Sequence, residues 1–168
     1  AGVHYMYVPF YGVVDFGLFF PFVILPVAVM GAANAFNMIA GYNGLEAGQG
    51  VIIFAALSYF TFKTGAIEYY IISLLMLTVL LAFLIFNFYP ARIFPGDILT
   101  YGTGSVIALI AIMANIELYV VILFIPYFFE FFLKLRGKMK IDSFGNLNDD
   151  ESLSLPERKY YGLTHVAI

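Results

Sequence analysis

Apolar residues run along this chain in long unbroken stretches, without the strict alternation of a half-buried strand, and polar residues collect between the stretches. Five stretches can be drawn, over residues 18–40, 47–63, 67–88, 98–114 and 116–134. Each is close to the roughly 20 residues that an α-helix needs to cross a hydrocarbon core of about 30 Å. The pattern predicts an all-α fold, a polytopic transmembrane helix bundle of about five spans. The second stretch is short and ends in Lys63, whose ammonium can snorkel to an interface. Ahead of the first stretch, Val8-Pro-Phe-Tyr-Gly-Val-Val-Asp-Phe-Gly17 is extended and punctuated by glycine, which predicts a short outer hairpin. After the last stretch, residues 135–168 are polar and read as a loop on the inner side, including the run from Asp142 to Arg158. No internal repeat divides the chain, so 1–168 is read as one membrane-embedded domain.

Composition agrees with that class, because 62% hydrophobic and 11% charged residues are too few polar groups to cover a water-soluble domain of this length. Tyr42, Tyr69, Tyr70, Tyr89, Tyr101 and Tyr119 fall near span ends, as an interfacial aromatic belt requires. Arg92, Lys134, Arg136, Lys138, Lys140, Arg158 and Lys159 fall on one side of the threaded spans and Lys63 on the other. The excess of basic residues marks the first side as cytoplasmic. A net charge of −3 is too small to imply a nucleic-acid partner and no basic-aromatic pattern supports one, so no nucleic acid is expected and the lipid bilayer is the partner that composition names. The chain has no cysteine, so disulfide and thiolate chemistry are excluded, and His4 and His165 are too far apart to form a motif.

Two polar segments share the predicted cytoplasmic mouth. In the first, Asn34 and Asn37 are three apart and therefore neighbours on one helix face, Gly41 allows the helix to stop, and Asn43-Gly44 is a turn signal. Glu46 follows where the next helix begins. Capping accounts for any one of these residues, but three asparagines and a glutamate exceed what one helix end needs, and unpaired amides at a membrane mouth are costly. The second segment, Asn87-Phe-Tyr-Pro-Ala-Arg92-Ile-Phe94-Pro-Gly-Asp97, is held extended by two prolines. Asp97 stands where an N-cap is expected, and its carboxylate also suits a hard divalent ion such as Mg²⁺. Phe94 is a packing residue or a ring for stacking on a base, while Thr100, Thr103, Gly102 and Gly104 read as helix-packing positions.

The two segments carry a resemblance. Asn-Ala-x-Asn-x-x-Ala-Gly-x-Asn-Gly-Leu-Glu-Ala-Gly-Gln at 34–49, followed by Asn-x-Tyr-Pro-x-Arg-x-Phe-x-Gly-Asp at 87–97, resembles the polyprenyl-phosphate N-acetylhexosamine-1-phosphate transferase superfamily. The likeness is closest to its archaeal and eukaryotic UDP-GlcNAc–dolichyl-phosphate N-acetylglucosamine-1-phosphate transferases. Bacterial members acting on the muramoyl-pentapeptide nucleotide have aspartates where this chain has Ala40 and Asn43. The resemblance implies Mg²⁺-dependent transfer, with Mn²⁺ as the alternative ion, of GlcNAc-1-phosphate from UDP-GlcNAc to a polyprenyl or dolichyl phosphate, with release of UMP. That is the first lipid-linked step of N-glycan assembly. Carried over by position, Asp97 and Asn37 are the metal ligands and catalytic pair, Asn43, Asn87 and Phe94 surround the uridine, and Arg136 clamps the pyrophosphate.

The resemblance also implies a cytoplasm-facing site, in an archaeal cell membrane in preference to the endoplasmic reticulum, and allows a homodimer. The family's acidic pair is expected before Ala1, in a longer protein of which this chain is a part, and Leu135 stands in the neighbourhood of its histidine-bearing basic motif. Three alternatives remain open at this stage: a transporter, a non-catalytic membrane scaffold, and the same transfer with another UDP-N-acetylhexosamine. Transporter sites usually lie near the bilayer midplane within inverted repeats, whereas the polar groups here gather at helix ends.

Overall fold

The computed structural model describes residues 4–8, 10–140, 144–148, 152–155 and 160–166. The expected anchors Arg158 and Lys159, and Asp142 at the start of the polar run, lie outside the described residues. A two-stranded antiparallel hairpin, β1 (Tyr5–Val8) and β2 (Gly12–Asp15), opens the fold as expected. A turn of π-helix, Phe20–Ile24, runs into α1 (Leu25–Met38). Next come α2 (Leu45–Thr64), α3 (Ile67–Asn87), α4 (Gly96–Met113), α5 (Glu117–Leu123) and α6 (Ile125–Arg136). A short pairing of β3 (Asn146–Leu147) with β4 (Leu153–Ser154) and a 3₁₀ turn, Thr164–Val166, complete the described chain.

Four helices, Phe20–Met38, α2, α3 and α4, are long and apolar enough to span a membrane. The fifth expected span, 116–134, is instead two helices, α5 and α6, bent by 54°. Pro126 sits in the first turn of α6 and has no N–H to continue α5, so the axis changes direction at Phe124. Only 11% of the α3 window is buried, against 44% in α2 and in α4, so α3 presents most of its apolar surface to lipid.

The core lies between α1, α2, α4 and the bent pair, where Phe36, Phe54, Leu57, Ile107, Ile110 and Tyr127 are buried. Gly104 allows α1 and α4 to cross closely, since a Cβ there would lie 2.6 Å from the Ala32 carbonyl oxygen. Gly102, by contrast, has open space around its Cα and packs on nothing. Gln49 on α2 accepts a hydrogen bond from the Tyr127 hydroxyl at 2.6 Å, and Tyr127 stacks on Phe36 with centroids 5.8 Å apart, which ties α6 into the core. With that crossing fixed, the C-terminal ends of α1 and α6 and the N-terminal ends of α2 and α4 gather at one end of the bundle.

Candidate active site

The gathered helix ends enclose an open cavity of about 790 Å³. Its lining includes Asn34 and Asn37 from α1, Gly41 and Glu46 from the break before α2, Phe94 and Asp97 around the start of α4, and Lys134 from α6. Asn34 and Asn37 share the cavity as their spacing requires. The Asn34 amide is partly engaged, donating to the Met30 carbonyl oxygen at 2.7 Å.

Asn37 and Asp97 are joined through Thr100. The Thr100 hydroxyl donates to the Asn37 amide oxygen at 2.6 Å, and Thr100 lies one turn after Asp97 on the same face of α4. The sequence reads Thr100 mainly as a packing residue, and its three-residue offset from Asp97 is the signal that the two share a face of α4. Asp97 is not an N-cap. Gly96, at φ +61°, opens α4, Pro95 occupies the cap position, and no side chain caps the helix. The Asp97 carboxylate is exposed, and among the described residues it makes no hydrogen bond or ion pair.

That free carboxylate decides whether a divalent ion fits. Among the described residues no group of three or more His, Asp or Glu gathers to enclose a metal. Mg²⁺ commonly takes one or two protein oxygens and completes its shell with phosphate and water. Asp97, with the amide oxygen of Asn37 on the same cavity, fits that smaller donor set.

Phe94 stands at the rim with 59% of its surface exposed, which suits a stacking surface better than a packing residue. Glu46 is buried, and one of its oxygens accepts the Gly41 N–H, closing the break between α1 and α2. The backbone N–H that follows α1 is thereby satisfied by a side chain from the next helix.

Three expected site residues lie elsewhere. Asn87 is fully buried and its amide is committed to backbone: Oδ1 accepts from Gly44 N–H at 3.1 Å, and Nδ2 donates to the Ile93 carbonyl at 2.9 Å. It braces the two polar segments against each other and does not line the cavity. Asn43 is exposed on the turn, outside the cavity lining, next to Gly44 at φ +74°. Arg136 is exposed and also off the cavity. Among the described residues, the cation on the cavity is Lys134, because residues two apart on a helix point to different sides. Its ammonium donates to the Met38 carbonyl oxygen at the end of α1, at 2.6 Å, where the helix dipole favours a positive charge.

The tail also reaches the site. Phe144 lines the cavity over Gly41, where an added Cβ would fall 2.2 Å from its ring, and Gly145 N–H donates to the Tyr42 hydroxyl at 3.0 Å. The missing side chain at Gly41 is therefore what lets the aromatic ring settle there.

Residues 1–115 match the family model described as glycosyl transferase family 4. A Sulfolobus acidocaldarius protein named as a candidate UDP-N-acetylglucosamine–dolichyl-phosphate N-acetylglucosaminephosphotransferase is 44% identical over 163 residues, 96% of this chain and 49% of the relative. A protein of the same name from Saccharolobus solfataricus is 42% identical, over 96% of this chain and 50% of the relative. The phospho-N-acetylmuramoyl-pentapeptide-transferase of Halalkalibacterium halodurans is 41% identical over 111 residues, 66% of this chain and 34% of the relative. The chain thus spans about half the length of the archaeal relatives it matches.

Proposed function

The chain belongs to glycosyl transferase family 4, and on that premise we propose that it forms part of an integral membrane phosphoglycosyl transferase that moves GlcNAc-1-phosphate from UDP-GlcNAc to a polyprenyl phosphate of the dolichyl type. An oxygen of the lipid phosphate attacks the β-phosphorus of the nucleotide sugar. The bond from that phosphorus to the oxygen bridging it to the α-phosphate breaks, UMP leaves, and the sugar remains on a lipid diphosphate, which completes the first lipid-linked step of N-glycan assembly. The observation that carries this reading is the convergence of Asn37, Thr100 and Asp97 on one polar cavity at a helix-end mouth, with the exposed Phe94 ring at its rim.

The chemistry asks mainly for positioning and for neutralisation of diphosphate charge. Thr100 orients the Asn37 amide oxygen by hydrogen bonding to it, and Asp97 offers an unpaired carboxylate, so Asn37 and Asp97 would hold Mg²⁺. When bound, the ion supplies positive charge to the phosphates. Lys134 adds a cation from α6, and Phe94 provides a face on which uracil can stack. GlcNAc is favoured over the muramoyl-pentapeptide donor because the relatives named for the former match 96% of the chain and the Halalkalibacterium transferase 66%. The cavity end carries Arg92, Lys134, Arg136, Lys138 and Lys140 while Lys63 lies at the other, which supports a cytoplasmic site, and the archaeal relatives support an archaeal membrane.

Full-length protein in lipid nanodiscs, given UDP-GlcNAc and polyprenyl phosphate, should release UMP only when both the lipid phosphate and Mg²⁺ are present. Movement of intact UDP-GlcNAc across a sealed vesicle without UMP release would replace this reading with transport.

A further inference from the structure

Glu130 lies within α6 and is fully buried, where a carboxylate without partners is strongly disfavoured. Its two oxygens face different neighbours. Oε2 accepts the backbone N–H of Leu163 at 2.6 Å. Oε1 stands 3.5 Å from the Lys134 ammonium, one turn along the same helix, as an ion pair that makes no hydrogen bond. Lys134 places its hydrogen bond on the Met38 carbonyl oxygen instead, and opens on the cavity. Gly162 is what allows the tail backbone so near, since a Cβ there would lie 3.1 Å from Oε1 and 3.5 Å from Oε2. A chain of contacts therefore links the tail to Glu130, Glu130 to Lys134, and Lys134 to the end of the helix that carries Asn37.

We propose that Glu130 is a positioning residue for Lys134, and that the seating of the tail sets its hold. The Leu163 N–H keeps the carboxylate turned so that it steadies the ammonium without closing on it, which leaves the Lys134 charge available to an anionic group such as a phosphate in the cavity. This rests on the reading of the cavity as a diphosphate site. Without that N–H, the buried carboxylate keeps Lys134 as its one strong partner and rotates into a full ion pair with it, withdrawing the cation.

The test uses full-length protein in lipid nanodiscs. It reads the rate at which an amine-reactive ester acylates Lys134, by peptide mass spectrometry, together with UMP affinity. Leu163→Pro removes the N–H, while Leu163→Ala keeps it and controls for the lost side chain. Leu163→Pro should slow acylation by about two- to fivefold, the range of a single ion pair, with Leu163→Ala unchanged. Glu130→Gln still accepts from Leu163 but has no charge, and should speed acylation. Adding Leu163→Pro to Glu130→Gln should then change nothing further, because the group it acts through is gone. UMP binding should weaken in Leu163→Pro, and adding Leu163→Pro to Glu130→Gln should weaken it no further. Equal acylation of Leu163→Pro and the unaltered protein, or the same Leu163→Pro effect with glutamine at 130, overturns the proposal. If Leu163→Pro does not fold, Gly162→Ala, which crowds the tail off Glu130, takes its place with the same expected pattern. UMP binding to none of the proteins would overturn the diphosphate reading of the cavity, while the acylation rates still decide the coupling.

Discussion

The hydroxyl of Thr100 donates to the amide oxygen of Asn37 across the crossing of α1 and α4, at 2.6 Å. A residue from the first polar segment is thereby oriented by one that follows the second, 63 positions away. Thr100→Val preserves the shape and removes the donor. It should cost about 1 kcal/mol of stability, the usual worth of one hydrogen bond, and reduce UMP release by more than that loss of folded protein explains. Thr100→Ser, which keeps the hydroxyl, should restore turnover. Melting temperature and UMP release measured on both variants check this.

Asp97→Asn removes a charge while keeping size. Because the carboxylate is exposed and unpaired among the described residues, and does not cap α4, stability should change little. Activity should fall by orders of magnitude if Asp97 binds Mg²⁺. Normal turnover at saturating Mg²⁺ would remove Asp97 from the metal site.

Phe94→Ala should weaken UDP-GlcNAc binding by about 5- to 150-fold, the range spanned by stacking on a single base, and Phe94→Trp should retain most of the affinity. With the ring 59% exposed, the melting temperature should stay within a few degrees of the unaltered protein. Loss of stability with unchanged affinity would return Phe94 to a packing role.

The alternation of spans puts Asn43 and the end of α2 on opposite sides of the bilayer. Cysteines at Asn43 and Thr64 in full-length protein should therefore label with an impermeant maleimide from opposite faces, Asn43 from the cytoplasm. Thr64 is the better position than Gly65, whose φ of +76° would strain any side chain. Labelling from one face would break the threading.

Most of the architecture was legible in the sequence because lipid requires little more of a spanning segment than length and apolarity. Four helices follow the apolar stretches closely, and the hairpin followed from its glycines. The bend at Phe124 does not follow from the apolar pattern, because hydropathy reports how apolar a segment is and says nothing of its direction. At the site, Asn34, Asn37, Phe94 and Asp97 were readable as polar or aromatic groups at helix ends. The burial of Asn87 was not, since its partner Gly44 is 43 residues away and no local pattern brings them together. Lys134 was likewise hidden among the basic anchors, because its bond to Met38 spans 96 residues and depends on how α6 leaves the bend.

The brace at Asn87 has a mechanical consequence. The side chain at that position must accept from Gly44 and donate to Ile93 at once. Aspartate has no proton for Ile93, and leucine offers neither group. One amide therefore ties the turn before α2 to the loop that carries Phe94, so the two loops move together. If the backbone at Ile93 shifts while both bonds hold, the turn at Gly44 and the entrance to the second helix shift with it.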